Sequence, residues 1–141
     1  RLMKALAWED IVEGLEASVS FSVTDDDMRA FADLSGDRNP LHTDEAFARA
    51  KGFEGRAVYG GLILAQVSRL LGMELPGRDV VWASVKMDFR NPLYLHEEAV
   101  VQACVAGKSE AAKLIDLKIT VTVGGRKIAT GRANAILVPL V

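Results

Sequence analysis

FADLSGDRNPLHTDEAFARAKGFEGRAVYGGLILAQVSRLLG, residues 31–72, joins a polar loop to the longest apolar run of the chain, and its reading decides the fold. From Gly61 to Leu71 only Gln66, Ser68 and Arg69 interrupt the apolar residues, so a helix here is hydrophobic almost all round and is expected inside the protein. Gly60-Gly61 offers a start free of side chains, and Gly72 is the expected stop. The first N–H groups of such a helix lack internal partners and carry the positive end of its dipole, so an oxyanion would suit them. Just upstream, Ser35-Gly36-Asp37-Arg38-Asn39-Pro40-Leu41-His42 sets a carboxylate and an imidazole five residues apart. Gly36 and Pro40 are expected to keep that segment irregular, so that both side chains can face one ligand.

Before this stretch, Val19, Phe21 and Val23 alternate with serines, which predicts a strand over 18–23. Thr24 followed by Asp25, Asp26 and Asp27 reads as a helix cap with carboxylates in the first turn, rather than a metal cluster. A short helix is expected over 44–51, opened by Thr43 and closed by Gly52. After Pro76-Gly77 the pattern changes to period two. Val81, Ala83, Val85, Met87 and Phe89 alternate with polar neighbours, Val101, Ala103 and Val105 do so less cleanly, and Ile115, Leu117, Ile119, Val121 and Val123 do so most strictly. Gly124-Gly125 is a hairpin signal, and a last strand over 127–138 puts Ala129, Gly131, Ala133 and Ala135 on one face, small enough for something bulky to approach. The fold class expected is α+β: an antiparallel sheet wrapped around a central buried helix.

The chain has 141 residues, half of them hydrophobic, which suits one domain over 1–141. Seventeen basic residues against nineteen acidic ones, without a basic run, argue against a nucleic-acid partner. The apolar run is too short to cross a bilayer and no signal peptide is evident, so a soluble cytoplasmic protein without a membrane partner is expected. Cys104 is single and reads as a small buried hydrophobe; with His42 and His96 it makes a poor zinc set, so no metal is expected. A solvated loop is expected at His96-Glu97-Glu98. Long strands in an open sheet leave an edge that a second copy would cover, so a homodimer is expected.

The segment FADLSGDRNPLHTDEAFA closely resembles the hydratase motif of the (R)-specific enoyl-CoA hydratases, the MaoC-like dehydratases, whose core Gly-Asp-x-Asn-Pro-Leu-His stands here as Gly36, Asp37, Asn39, Pro40, Leu41 and His42. The resemblance runs through the helix from Gly60 to the later Phe89-x-x-Pro92. It implies a hot-dog fold, usually dimeric, acting on acyl thioesters of coenzyme A, with Asp37 and His42 as the catalytic pair and the Gly60 N–H as donor to the thioester carbonyl. Two departures stand out: Tyr59-Gly60 where several members have His-Gly, and His96-Glu97 where they have Gly-Asp. The first is expected to line the site and bear on acyl-chain preference; the second reads as a loop variation.

The residue types suit the implied chemistry. Hydrating a trans-2-enoyl thioester needs a water deprotonated, a proton delivered and an enolate oxygen stabilised. A carboxylate and an imidazole around one water can do the first two, a form of help worth about 10²- to 10⁴-fold. The amides at Gly60 and Gly61 can do the third. Asn39 is assigned to holding the loop, and Ser68 to lining the acyl pocket. No cofactor is expected beyond the coenzyme A of the substrate. A hot-dog acyl-CoA thioesterase and a non-catalytic acyl-thioester binding module remain as alternatives.

Overall fold

A computed structural model describes residues 2–138, so the expected domain of 1–141 extends past them at both ends. Its first strand, β1 (Glu16–Phe21), leads into helix α1 (Asp25–Ser35). The start of α1 is a reciprocal cap: the Thr24 hydroxyl accepts from the Asp27 N–H at 3.2 Å, and the Asp27 carboxylate accepts from the Thr24 N–H at 2.9 Å. The aspartate run is therefore helix chemistry. Two short helices come next, α2 (Pro40–Thr43) and α3 (Glu45–Ala50), then α4 (Gly60–Met73). The segment expected to be irregular up to His42 thus becomes helical at Pro40, because Asn39 caps α2 by accepting the Leu41 N–H and Pro40 fits the first helical position. Asp44, rather than Thr43, caps α3 by accepting from Phe47.

Strands β2 (Val80–Phe89), β3 (Ala99–Ser109), β4 (Leu114–Val123) and β5 (Arg126–Leu137) complete one antiparallel sheet of order β1-β3-β4-β5-β2. Its inner face is the core. Val101, Ala103, Ile115, Leu117, Ile119, Val121, Ala129 and Ala135 are all fully buried, and each large one stabilises by roughly 1.5–3 kcal/mol. Helix α4 packs Ile63, Val67, Leu70 and Leu71 into this core and touches both edge strands, β1 and β2, as well as β3. A sheet whose two edges meet one helix is wrapped around it, and this is the hot-dog fold.

Four details differ from the expected pattern. Helix α4 runs through Gly72 to Met73 and is stopped by Glu74, Leu75 and Pro76. The first two return their N–H groups to Leu70 O at 3.0 Å, and the proline cannot continue the helix. The outer side of α4 is only partly covered by the described residues; Leu64 is half-buried and Ala65 and Ser68 are exposed. In β2, the register shifts between Trp82 and Ser84, so Trp82 pairs with Ala135 while Ser84 pairs with Asn134. That bulge at Ala83 breaks the alternation: Trp82 packs against the core, and Val81 falls on the face opposite to Val85, Met87 and Phe89. Cys104 is half-buried, since its β3 neighbours Ala103 and Val105 take the inner face.

The small residues of β5 serve the β2 contact. A Cβ on Gly131 would stand 2.1 Å from the backbone oxygen of Lys86, an impossible contact that neither strand can relieve without shifting. Gly131→Ala is expected to destabilise the fold by about 1–3 kcal/mol, the usual cost of forcing atoms into a filled space. Urea unfolding followed by circular dichroism measures it.

Candidate active site

The loop after α1 is built from its own polar side chains. Gly36, at φ 78°, takes the left-handed conformation that closes α1 and returns its N–H to Ala32 O at 2.9 Å. Asp37 then donates its N–H to the Ser35 hydroxyl at 3.1 Å, and its Oδ1 accepts the Asn39 N–H at 3.0 Å. Asn39 repeats the device by accepting from the Leu41 N–H at 3.0 Å. Two successive side-chain turns therefore lead straight to His42.

His42 is half-buried and is held by the segment before α4. Its Nδ1 lies 2.7 Å from the carbonyl oxygen of Ala57, while the Ala57 N–H donates to Leu41 O at 3.2 Å. A carbonyl oxygen can only accept, so Nδ1 carries the proton and Nε2 of the neutral ring is left as an acceptor. Val58 continues the clamp by donating to Leu93 O at 2.8 Å, which ties it to the chain beyond β2.

Tyr59 lies beneath both members of the expected pair. It is 1% exposed, its ring stacks on His42 with centroids 4.1 Å apart, and its hydroxyl donates to the backbone oxygen of Asp37 at 2.6 Å. Burial pushes the phenol above its ordinary pKa and the nearby Asp37 adds to the effect, so the group stays a neutral donor.

A cavity of about 320 Å³ opens beside the ring, lined by His42 and Gly60 together with Leu41, Phe53, Ile63 and Phe89. Among the described residues, nothing accepts the N–H of Gly60 or Gly61, whereas Leu62 and Ile63 donate to Tyr59 O. The two glycines also make room: a Cβ on Gly60 would stand 3.1 Å from the Phe89 ring, and one on Gly61 would stand 2.5 Å from the Phe31 ring.

The expected site residues therefore divide. His42 and Gly60 share one cavity, and Asp37 joins them through Tyr59, with its carboxylate exposed and Oδ2 free of partners among the described residues. Asn39 holds the loop as expected. Tyr59, expected to line the site, lies behind it. Ser68 is exposed two turns along α4, roughly 12 Å from Gly60 at 1.5 Å per residue, and does not reach this cavity. Sequence reasoning missed the Ala57 carbonyl, for which no side chain could have been a signal. It missed Arg56 too, which ties α1 to α3 by pairing with Asp25 at 2.6 Å and with Glu45 at 3.7 Å. Arg29 and then Arg56 hold the Asp25 carboxyl below the usual range. His96 is exposed as expected, yet Glu97 is not merely solvated: it accepts the Tyr94 N–H at 2.9 Å and pairs with Arg126 at 2.5 Å.

Comparison with known proteins identifies the family. A profile of the MaoC like domain matches residues 9–126. An (R)-specific enoyl-CoA hydratase of Rhodospirillum rubrum is 31% identical over 132 residues, covering 94% of this chain and 91% of that protein. A 3-hydroxybutyryl-CoA dehydratase of Methylorubrum extorquens is 30% identical over 93% of this chain and 83% of its own length. Among solved structures, the (R)-hydratase of Aeromonas caviae superposes with a TM-score of 0.87 at 32% identity, over 92% of this chain and 98% of that one.

The raised pKa of Tyr59 has a stability consequence with a definite sign. A phenol that is harder to ionise in the folded state contributes stability that is complete below the unfolded value of 10.0 and is lost as pH rises through the folded one. Melting temperature should therefore fall more steeply above pH 10 in the wild type than in Tyr59→Phe, which has no proton to lose there. Thermal unfolding of the two proteins across that range measures it.

Proposed function

The chain belongs to the MaoC-like domain family, and from that premise we propose that it is a hydro-lyase interconverting a trans-2-enoyl-CoA and an (R)-3-hydroxyacyl-CoA. The observation that carries the reading is the shared cavity, where the His42 imidazole, held through Nδ1 by Ala57 O, and the free N–H of Gly60 border one apolar space. Asp37 and His42 act as a unit around one water. As the water oxygen bonds to C3 of the enoyl group, the dyad takes its proton and the double-bond electrons move toward the thioester oxygen. The Gly60 amide, at the positive end of α4, stabilises the enolate oxygen; one such donor is worth roughly 3–4 kcal/mol. Return of a proton to C2 completes a net addition of water. No electrons are exchanged with a carrier, so the reaction calls for no cofactor beyond the coenzyme A of the substrate. Phe53, Ile63 and Phe89 give the acyl chain an apolar wall.

A homodimer is part of the same proposal. Strand β2 is a sheet edge, and its inward-facing Val85 and Phe89 are 41% and 51% exposed, Phe89 meeting only the glycine start of α4. A second copy laid against β2 would cover these residues, and Phe89 also lines the cavity, so the partner would close that end of the site.

Purified protein mixed with crotonyl-CoA should show loss of the enoyl absorbance with no release of free thiol; thiol release instead would indicate the thioesterase, and binding without turnover a non-catalytic module. Asp37→Asn and His42→Gln should each lower the hydration rate by about 10²- to 10⁴-fold while the circular dichroism spectrum is kept. Retained activity in both would defeat the dyad. Light scattering should give twice the chain mass of 15.2 kDa, and Val85→Asp should move it toward the single-chain value.

A further inference from the structure

The proposed dyad comes from a loop whose carboxylate is exposed, yet its two members need a fixed spacing. The hydrogen bond from His42 Nδ1 to Ala57 O anchors one ring nitrogen but leaves the ring free to swing about that line. Tyr59 removes the freedom. Its ring lies 4.1 Å from the imidazole at an interplanar angle of 27°, and Phe31 supports it from 4.6 Å. The hydroxyl of the same side chain holds the Asp37 carbonyl at 2.6 Å, which fixes the height of the loop above the ring. Tyr59 is also the residue before Gly60, and its carbonyl accepts the Leu62 and Ile63 N–H groups that start α4. At 1% exposure and outside the cavity lining, it does not touch what the cavity holds.

We infer that Tyr59 is a positioning residue that sets the plane of His42 and the place of Asp37 with one side chain, and so determines their mutual geometry. The kinetic part rests on the hydratase reading above; the structural part does not. Misplacement of a reacting group by about 1 Å can cost on the order of 10²-fold in rate, so a residue that never meets substrate can still control turnover.

Tyr59→Phe keeps the stack and deletes the tie to Asp37; Tyr59→Leu deletes both. Folded Tyr59→Phe should lower kcat for crotonyl-CoA about tenfold with KM nearly unchanged, and Tyr59→Leu about 10²-fold. Amide hydrogen exchange should speed up at Gly36 to Asn39 in both variants, and the nitrogen-15 signal of His42 Nδ1–H should weaken in Tyr59→Leu alone. Wild-type exchange and ring signals in both variants would overturn the inference, as would a fall in rate that appears wholly in KM. Should Tyr59→Leu not fold, Tyr59→Phe decides alone through loop exchange and the kcat–KM split. If the wild type does not hydrate crotonyl-CoA, the functional reading fails, and the exchange and ring signals still judge the positioning role.

Discussion

Everything at the site depends on one main-chain carbonyl, that of Ala57, accepting a hydrogen bond from His42 Nδ1–H at 2.7 Å. The bond selects the tautomer with hydrogen on Nδ1, which leaves Nε2 as the nitrogen that can carry a lone pair. It is secured on both sides, since the Ala57 N–H is taken by Leu41 and the next residue donates to Leu93. The acceptor cannot be exchanged by side-chain substitution. Its position is set by the path of residues 57–59 between α2 and the end of β2, and the wrapped sheet sets that path.

Much of the architecture was legible because it rests on local chemistry. Thr24 and Asp27 announce a capped helix, the strict alternation from Ile115 to Val123 announces a half-buried strand, and Gly124-Gly125 announces the hairpin after it, with Gly124 at φ 56°. The Asp37-to-His42 spacing carries its own turns, so the loop could be located as well. What could not be read lies between distant segments. The bulge at Ala83 leaves no mark in the residues, and it reverses the face on which Val81 falls. Tyr59 reads equally well as a wall of the site or as its support until the Asp37 carbonyl is seen above its hydroxyl. Ser68 shares a helix with Gly60 but not a surface, because two turns of helix carry it roughly 12 Å along the axis.

The apolar character of α4 has two causes that sequence merges. One side faces the sheet through Ile63, Val67 and Leu70, as an enclosed helix should. The other side, with Leu64 half-buried and Ala65 exposed, is only partly covered by the described residues. Composition alone cannot separate burial within a chain from burial between chains.

The lining of the cavity has a divided ancestry within the chain. The imidazole and the amide beside it come from residues 42–60, whereas much of the facing wall comes from Phe89, Arg90, Asn91, Pro92 and Leu93, a separate segment joined to the first mainly through the Val58 and Ala57 backbone. Mutational drift in that second segment can reshape the space without disturbing the imidazole. Descendants of such a chain could therefore diversify in the shape of the space while inheriting the same imidazole and amide unchanged.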